Sequence, residues 1–273
     1  SLSLSFSISF LSLLDRGIVY VQAHVRGGGE MGLDWYESAK YLNKKRTFDD
    51  FVDVAKWLIG QDEEGKGKIT SPEKLAIRGG SAGGLLIGAA MNQAPEIFRV
   101  AILEVPFLDI VCTMSDASIP LTVGEWEEWG NPNEVKYFDY MMSYDPMNNI
   151  RTGATYPSTL INGGLHDPRV QFWEPAKFAA MLRHEVGQYY DEEQMGERPI
   201  LLKTDMGGGH SYSSDRYKRI SEIAYTYSFM LDQLGFVEMR DKAEGTNNEI
   251  ETSSGNTFGW YFSLIMLYVV VIA

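Results

Sequence analysis

One cysteine, Cys112, stands in the 273 residues. A single thiol forms no internal disulfide, and a chain of this length buries enough surface without staples, so a disulfide-built scaffold is excluded. Histidine is nearly as scarce. The four, His24, His166, His184 and His210, form no HExxH, and Cys112 belongs to no CxxC. The spacings of a zinc site are therefore missing, and no metal or organic cofactor is implied. Basic residues are in deficit, with 24 Lys and Arg against 37 Asp and Glu and a formal net charge of −13. A phosphate-backbone binder needs the opposite sign, which excludes nucleic acid as a partner. No internal repeat is present, so a propeller or solenoid within these residues is excluded too.

Long apolar runs are also short of what a membrane requires. The chain ends on TFGWYFSLIMLYVVVIA, whose charge-free stretch from Trp260 to Ala273 has 14 residues. A spanning helix needs about 20. This tail reads as a short membrane anchor, a buried strand or helix, or sequence foreign to the fold. At the other end, SLSLSFSISFLSLL has neither an initiator Met nor a basic region, so it is a weak leader and the expected start of a fragment.

What remains is an alternation of short apolar runs with amphipathic stretches. GIVYVQAHV (17–25), EKLAIRGG (73–80), RVAILEV (99–105), YPSTLING (156–163) and ERPILLKTD (197–205) read as strands. Helices are expected at 48–60, 81–93, 173–186 and 215–234. In the first of these, Phe48, Phe51, Val52, Ala55, Leu58 and Ile59 fall on one face. Strand and helix alternating at this spacing predict an α/β fold, a mostly parallel sheet with helices on both faces. Residues 1–236 form the expected domain. Residues 237–257 are a polar linker or disordered segment with few large apolar side chains, and 258–273 are the hydrophobic tail. The loop 187–197 is polar and expected to be exposed.

Between a strand and a helix stands GGSAGG, which matches G-x-S-x-G around Ser81. Glycines suit a tight strand-to-helix turn that holds a serine in a strained conformation at the sheet's carboxyl edge. A serine hydroxyl needs a base to take its proton and a carboxylate to orient that base. The strand 156–163 is followed by GLHDPRV, which supplies Asp167. The strand 197–205 is followed by MGGGHS, which supplies His210. Ser81, Asp167 and His210 therefore appear in the order expected of such a fold, each just past a strand end. His166 should point away beside Asp167, His24 ends a strand, and His184 lies on an amphipathic helix. On its residues alone, VGEWEEWG (123–130) reads as a solvated acidic loop around packing tryptophans.

Longer stretches resemble one family. LSLLDRGIVYVQAHVRGGGEMGLDWYE, GGSAGG, PLTVGEWEEWGNP, GLHDPRVQFWEPAK and TDMGGGHS are similar to the prolyl oligopeptidase family of serine peptidases, and most similar to its oligopeptidase B branch; the resemblance covers about residues 6 to 236. The resemblance implies an α/β-hydrolase catalytic domain without its first strands and without the β-propeller that caps it in the family. It implies Ser81 as nucleophile, Asp167 as orienting acid and His210 as base. The backbone N–H of Ala82 would be one oxyanion donor, and Arg169 would bind a substrate carbonyl. A second oxyanion donor, a tyrosine of a Tyr-Gly-rich motif, is expected upstream of Ser1. HVRGGGE (24–30) is taken as a structural turn instead. The branch cleaves after Arg or Lys, and Glu125 and Glu127 match the acids that receive that side chain, converging from an extended segment. Glu128 is expected to be structural or exposed. Short, basic peptides are the implied partners. A membrane contact through the tail stays open. The lone cysteine, the weak leader and the resemblance point to the cytoplasm. An esterase on the same fold, or an inactive truncated fragment with or without a membrane tether, are the alternatives; the paired glutamates argue against a lipid site.

Overall fold

The structure, a computed structural model, describes residues 8–60, 69–187, 197–211 and 213–236 and the backbone of 265–268. Among these, six strands form one sheet: β1 Val19–Gln22, β2 Leu75–Gly80, β3 Val100–Glu104, β4 Ser158–Gly164, β5 Ile200–Asp205 and β6 Ile265–Tyr268. Their spatial order is β1-β6-β2-β3-β4-β5, and every neighbouring pair is parallel. All five strands expected from the apolar runs are present.

The sixth strand comes from the hydrophobic tail. Val19 of β1 and Leu75 of β2 both pair in register with Ile265, so β6 lies between them as an inner strand. The sheet thus draws on residues beyond Phe236, where composition ended the domain. Of the readings open for the tail, a strand is the one these four residues adopt. The linker 237–257 and residues 188–196 of the polar loop lie outside the described residues. No helix among the described residues is long and apolar enough to cross a membrane.

The helices are α1 Leu11–Leu14, α2 Leu33–Glu37, α3 Lys45–Ile59, α4 Ala82–Gln93, α5 Ile110–Ser115, α6 Thr122–Trp129, α7 Val135–Met142, α8 Trp173–Gly187 and α9 Arg216–Gln233. They cover both faces of the sheet, and the strands show it by alternation. Leu75 and Ile77 of β2, with Ala101 and Leu103 of β3, join a large core with α3, α4 and α8. Ala76, Val100 and Ile102 turn the other way and pack with Phe10, Leu13, Tyr227 and Met230 of the α1 and α9 side. A strand buried on both faces must be apolar at consecutive positions, which is why these runs read as continuous rather than alternating. On α3 the expected residues Phe48, Phe51, Val52, Ala55, Leu58 and Ile59 are all buried.

One expectation fails. VGEWEEWG (123–130), taken as an extended segment carrying Glu125 and Glu127, instead falls in helix α6, Thr122–Trp129, and its terminating Gly130. Thr122 Oγ1 donates to the carbonyl of Thr113, and the Trp126 indole donates to that of Met114, so α6 is pinned to α5 by tertiary hydrogen bonds. Gly130, at φ +96°, ends the helix.

Candidate active site

Ser81 sits at the turn from β2 into α4 with φ +55° and ψ −121°. A non-glycine residue in this region costs about 1–3 kcal/mol and persists only when its surroundings enforce it. Here they do. The Ser81 N–H donates to Glu104 O at 2.9 Å, and its carbonyl accepts from Gly84 N, Phe107 N and Leu85 N at 2.8, 3.1 and 3.2 Å. Gly79 is required by close approach: a Cβ there would lie 2.3 Å from the carbonyl oxygen of Gly83. Ala82 is the first residue of α4, so its N–H is one of the four amides the helix leaves without an internal acceptor.

The loops after β4 and β5 bring in the other two residues. They are stitched together by their backbones, Leu165 N to Asp205 O at 2.9 Å and His166 N to Gly208 O at 3.0 Å. His210 Nε2 lies 3.0 Å from Ser81 Oγ, and His210 Nδ1 lies 2.8 Å from Asp167 Oδ2. The other oxygen of Asp167 accepts from Arg169 N at 2.9 Å and Val170 N at 3.0 Å. Burial by itself would raise the Asp167 carboxyl. The hydrogen bond from His210 and the two amides outweigh it and hold the group below the usual carboxylate value. An ionised carboxylate only accepts, so Nδ1 carries the proton and Nε2 is left to accept from the serine hydroxyl. The three residues expected from the sequence are thus brought into one hydrogen-bonded line, in the geometry that nucleophilic catalysis by serine uses.

A cavity of about 870 Å³ opens beside this line, lined among others by Ser81, His210, Glu104, Asn162, Lys203 and Tyr225. The expected substrate-binding residues lie elsewhere. None of Glu125, Glu127 and Arg169 lines this cavity. Arg169 is exposed at residue level, with its amide used by Asp167. Glu125 is half-buried and accepts the Trp129 indole N–H at 2.8 Å, whereas Glu127 is exposed. Two residues apart on a helix are turned by about 200°, so Glu125 and Glu127 do not converge as an extended segment would allow. Glu128 is buried, with Lys44 Nζ 2.5 Å from one oxygen and the Tyr36 hydroxyl donating to the other at 2.6 Å. Lys44 and Tyr36 carried no sequence signal. They lie 84 and 92 residues from Glu128, and nothing local marks either one. Of the remaining histidines, His166 and His184 are exposed, and the His24 carbonyl accepts from the Trp35 indole. Among the described residues no cluster of His, Cys, Asp and Glu is arranged to hold a metal ion.

The chain matches the model of the prolyl oligopeptidase family over residues 4–236. It is 46% identical over 235 residues to the dipeptidyl aminopeptidase BI of Pseudoxanthomonas mexicana, covering 86% of this chain and 30% of that protein. It is 47% identical to Protease 2 of Moraxella lacunata, covering 85% of this chain and 31% of that one. Its fold superposes on oligopeptidase B from Leishmania major with a TM-score of 0.78 at 48% identity, covering 86% of this chain and 31% of the other. The chain therefore spans about a third of the length of the relatives it matches. Its parallel sheet with helices on both faces is the α/β-hydrolase catalytic fold of these relatives. A family model over most of the chain, relatives near half identity and a shared fold place this chain in the prolyl oligopeptidase family.

Proposed function

We propose that this chain is the catalytic part of a serine peptidase that hydrolyses short peptides, with preference for cleavage after Arg or Lys. The observation that carries the reading is the hydrogen-bonded line from Ser81 through His210 to Asp167. In the first half-reaction Ser81 Oγ attacks the scissile carbonyl and its proton passes to His210 Nε2. The oxyanion of the tetrahedral intermediate accepts the N–H of Ala82, at the positive end of α4. Collapse breaks the C–N bond, and the imidazolium gives its proton to the departing amine. Water then attacks the acyl-enzyme by the same route, and the acid product leaves. Asp167 stays ionised throughout and stabilises the charged imidazole.

Preference for a basic side chain rests on Glu125 and on the likeness to Protease 2 and oligopeptidase B. A half-buried carboxylate gives a cationic side chain a strong, charge-assisted partner. Arg169, exposed two residues after Asp167, is assigned to a substrate carbonyl. Residues 1–236 together with strand β6 make up the proposed domain.

The test is labelling by a serine-directed fluorophosphonate together with hydrolysis of matched peptides that carry Arg, Pro or Phe immediately before the cleaved bond. Labelling that is absent in Ser81→Ala, and Arg cleaved fastest, is the expected result. Equal cleavage of all three would overturn the basic preference, and no labelling of the wild-type chain would overturn the peptidase reading.

A further inference from the structure

The acidic run EWEEW sits on α6, where its three carboxylates have different fates. Glu127 is exposed. Glu128 is buried and tied to Lys44 and Tyr36. Glu125 is half-buried, and among the described residues it forms no ion pair. Its one hydrogen bond given by the structure comes from the Trp129 indole.

Lys44 is central to this arrangement. It is 1% exposed, a rare place for an ammonium group, and its Nζ has two partners. One is Glu128. The other is the face of the Trp129 ring, whose centroid is 4.5 Å away. Burial draws the Lys44 pKa down, and the nearby charges of Glu128 and Glu125 act against that. Trp129 in turn packs edge-on against Phe107 at 5.8 Å, and the Phe107 N–H donates to the carbonyl of Ser81. A short path of contacts therefore joins Lys44 to the indole, the indole to Glu125, and the same indole to the backbone of the candidate nucleophile. The glycine-rich turn after β1 closes over the lysine. Gly27 has φ +92°, and a Cβ there would lie 2.6 Å from Thr47 Oγ1 and 3.6 Å from Lys44 Nζ.

We propose that Lys44 is a positioning residue for substrate selection: it pairs with Glu128 and, from the face of Trp129, fixes the indole that holds Glu125, so that Glu125 is left as the half-buried carboxylate without an ion pair to receive a cationic substrate side chain. The inference rests on the basic-side-chain reading of Glu125 given above. It also explains why three acids within four residues need not compete. One is cancelled by Lys44, one faces solvent, and one remains.

The experiment compares kcat/KM on a matched pair of fluorogenic peptides, one with Arg and one with its neutral isostere citrulline at the cleaved bond. The variants are Glu125→Gln, Trp129→Phe, Lys44→Met and the double variant Lys44→Met with Glu128→Gln. Lys44→Met alone leaves a buried, unpaired carboxylate, so the double variant, neutral and of similar shape, keeps the question answerable if the single one fails to fold. A lost hydrogen bond to a charged group corresponds to about ten- to a hundredfold. Glu125→Gln should lower the Arg-to-citrulline ratio about a hundredfold, and the double variant and Trp129→Phe about tenfold each; in the double variant citrulline cleavage should change by no more than about twofold. If Glu125→Gln collapses the ratio and a folded double variant keeps it, the role of Lys44 is overturned and the basic-side-chain reading stands. If Glu125→Gln leaves the ratio unchanged, that reading falls and this inference with it. Equal loss on both peptides in the double variant would mean a purely structural lysine and would also overturn the proposal.

Discussion

The line Ser81–His210–Asp167 and the cluster Lys44–Glu128–Trp129–Glu125 are both built from charged and polar side chains, but by different means. Each residue of the first stands just past the end of a parallel strand, and backbone hydrogen bonds between neighbouring loops set its position. The second is assembled by side chains from segments 84 residues apart, with a buried ammonium between a carboxylate and an aromatic face. The sheet and the tight turns at its strand ends therefore fix these groups through backbone geometry. Glu125, the proposed selecting group, sits beside a desolvated ion pair in which loss of either partner leaves a buried, unpaired charge. Chemistry built on strand ends should tolerate change in the scaffold. The proposed selectivity, built beside a buried pair, should not.

The sharpest test of the first region is Ser81→Ala. It should lower kcat by about 10⁶ while leaving the urea midpoint within error, because the hydroxyl contributes reaction and not packing. Asp167→Asn should cost about 10⁴ in kcat, through loss of the tautomer that leaves Nε2 free to accept. A large fall in stability in either variant would break the contrast, since it would mean that the line also holds the fold together.

The second region should respond the other way. Lys44→Met should destabilise the fold by about 3–5 kcal/mol, because it leaves Glu128 buried without a cation. Adding Glu128→Gln should recover most of that loss in the urea midpoint. A single variant as stable as wild type would show that the cluster is more hydrated than its burial implies.

Two carboxylates sharpen the comparison through pH. Glu174 is fully buried on α8 and accepts from Leu108 N, Asp109 N and Thr113 Oγ1, which fastens the segment leading through α5 into α6. Burial pushes its pKa up to about 7, against the amide and hydroxyl donors. The unfolded chain titrates this group at about 4.3, so between about 4.3 and 7 the folded state binds the extra proton and stability falls as pH rises. Asp167 has the opposite sign. It is held below its ordinary value, so its contribution is present above about pH 4 and is lost as pH falls further. Glu174→Gln should bring the urea midpoints at about pH 5 and 8 closer together, a change of up to a few kcal/mol. An unchanged gap would move the slope to Asp145, which burial raises to about 6. The smallest effect belongs to Glu127→Gln. It should shift the Arg-to-citrulline ratio by less than about twofold, since an exposed carboxylate is screened by water and salt.

Much of this was legible in the residues because it follows from local rules. Gly79 and Gly80 before Ser81 announce a turn that no side chain at position 79 could fit, and LAIR and AILE announce strands covered on both faces. The failures have one cause. TVGEWEEW has little helical signal, with Val and Gly near its start, and becomes α6 through hydrogen bonds to α5. The apolar tail leaves an anchor, a strand, a helix or sequence foreign to the fold open until β1 and β2 are seen with a strand between them.

The sequence by itself determined the alternation of strands and helices, the strained serine turn, and the chain order of serine, acid and base. These depend on backbone preferences and on residues a few positions apart. Only the tertiary structure decided which of the three acids on α6 is cancelled by a lysine, where the tail strand enters the sheet, and how far His210 stands from Ser81. Those outcomes come from burial, since removing charges and strand edges from water forces pairings between residues that the chain keeps far apart.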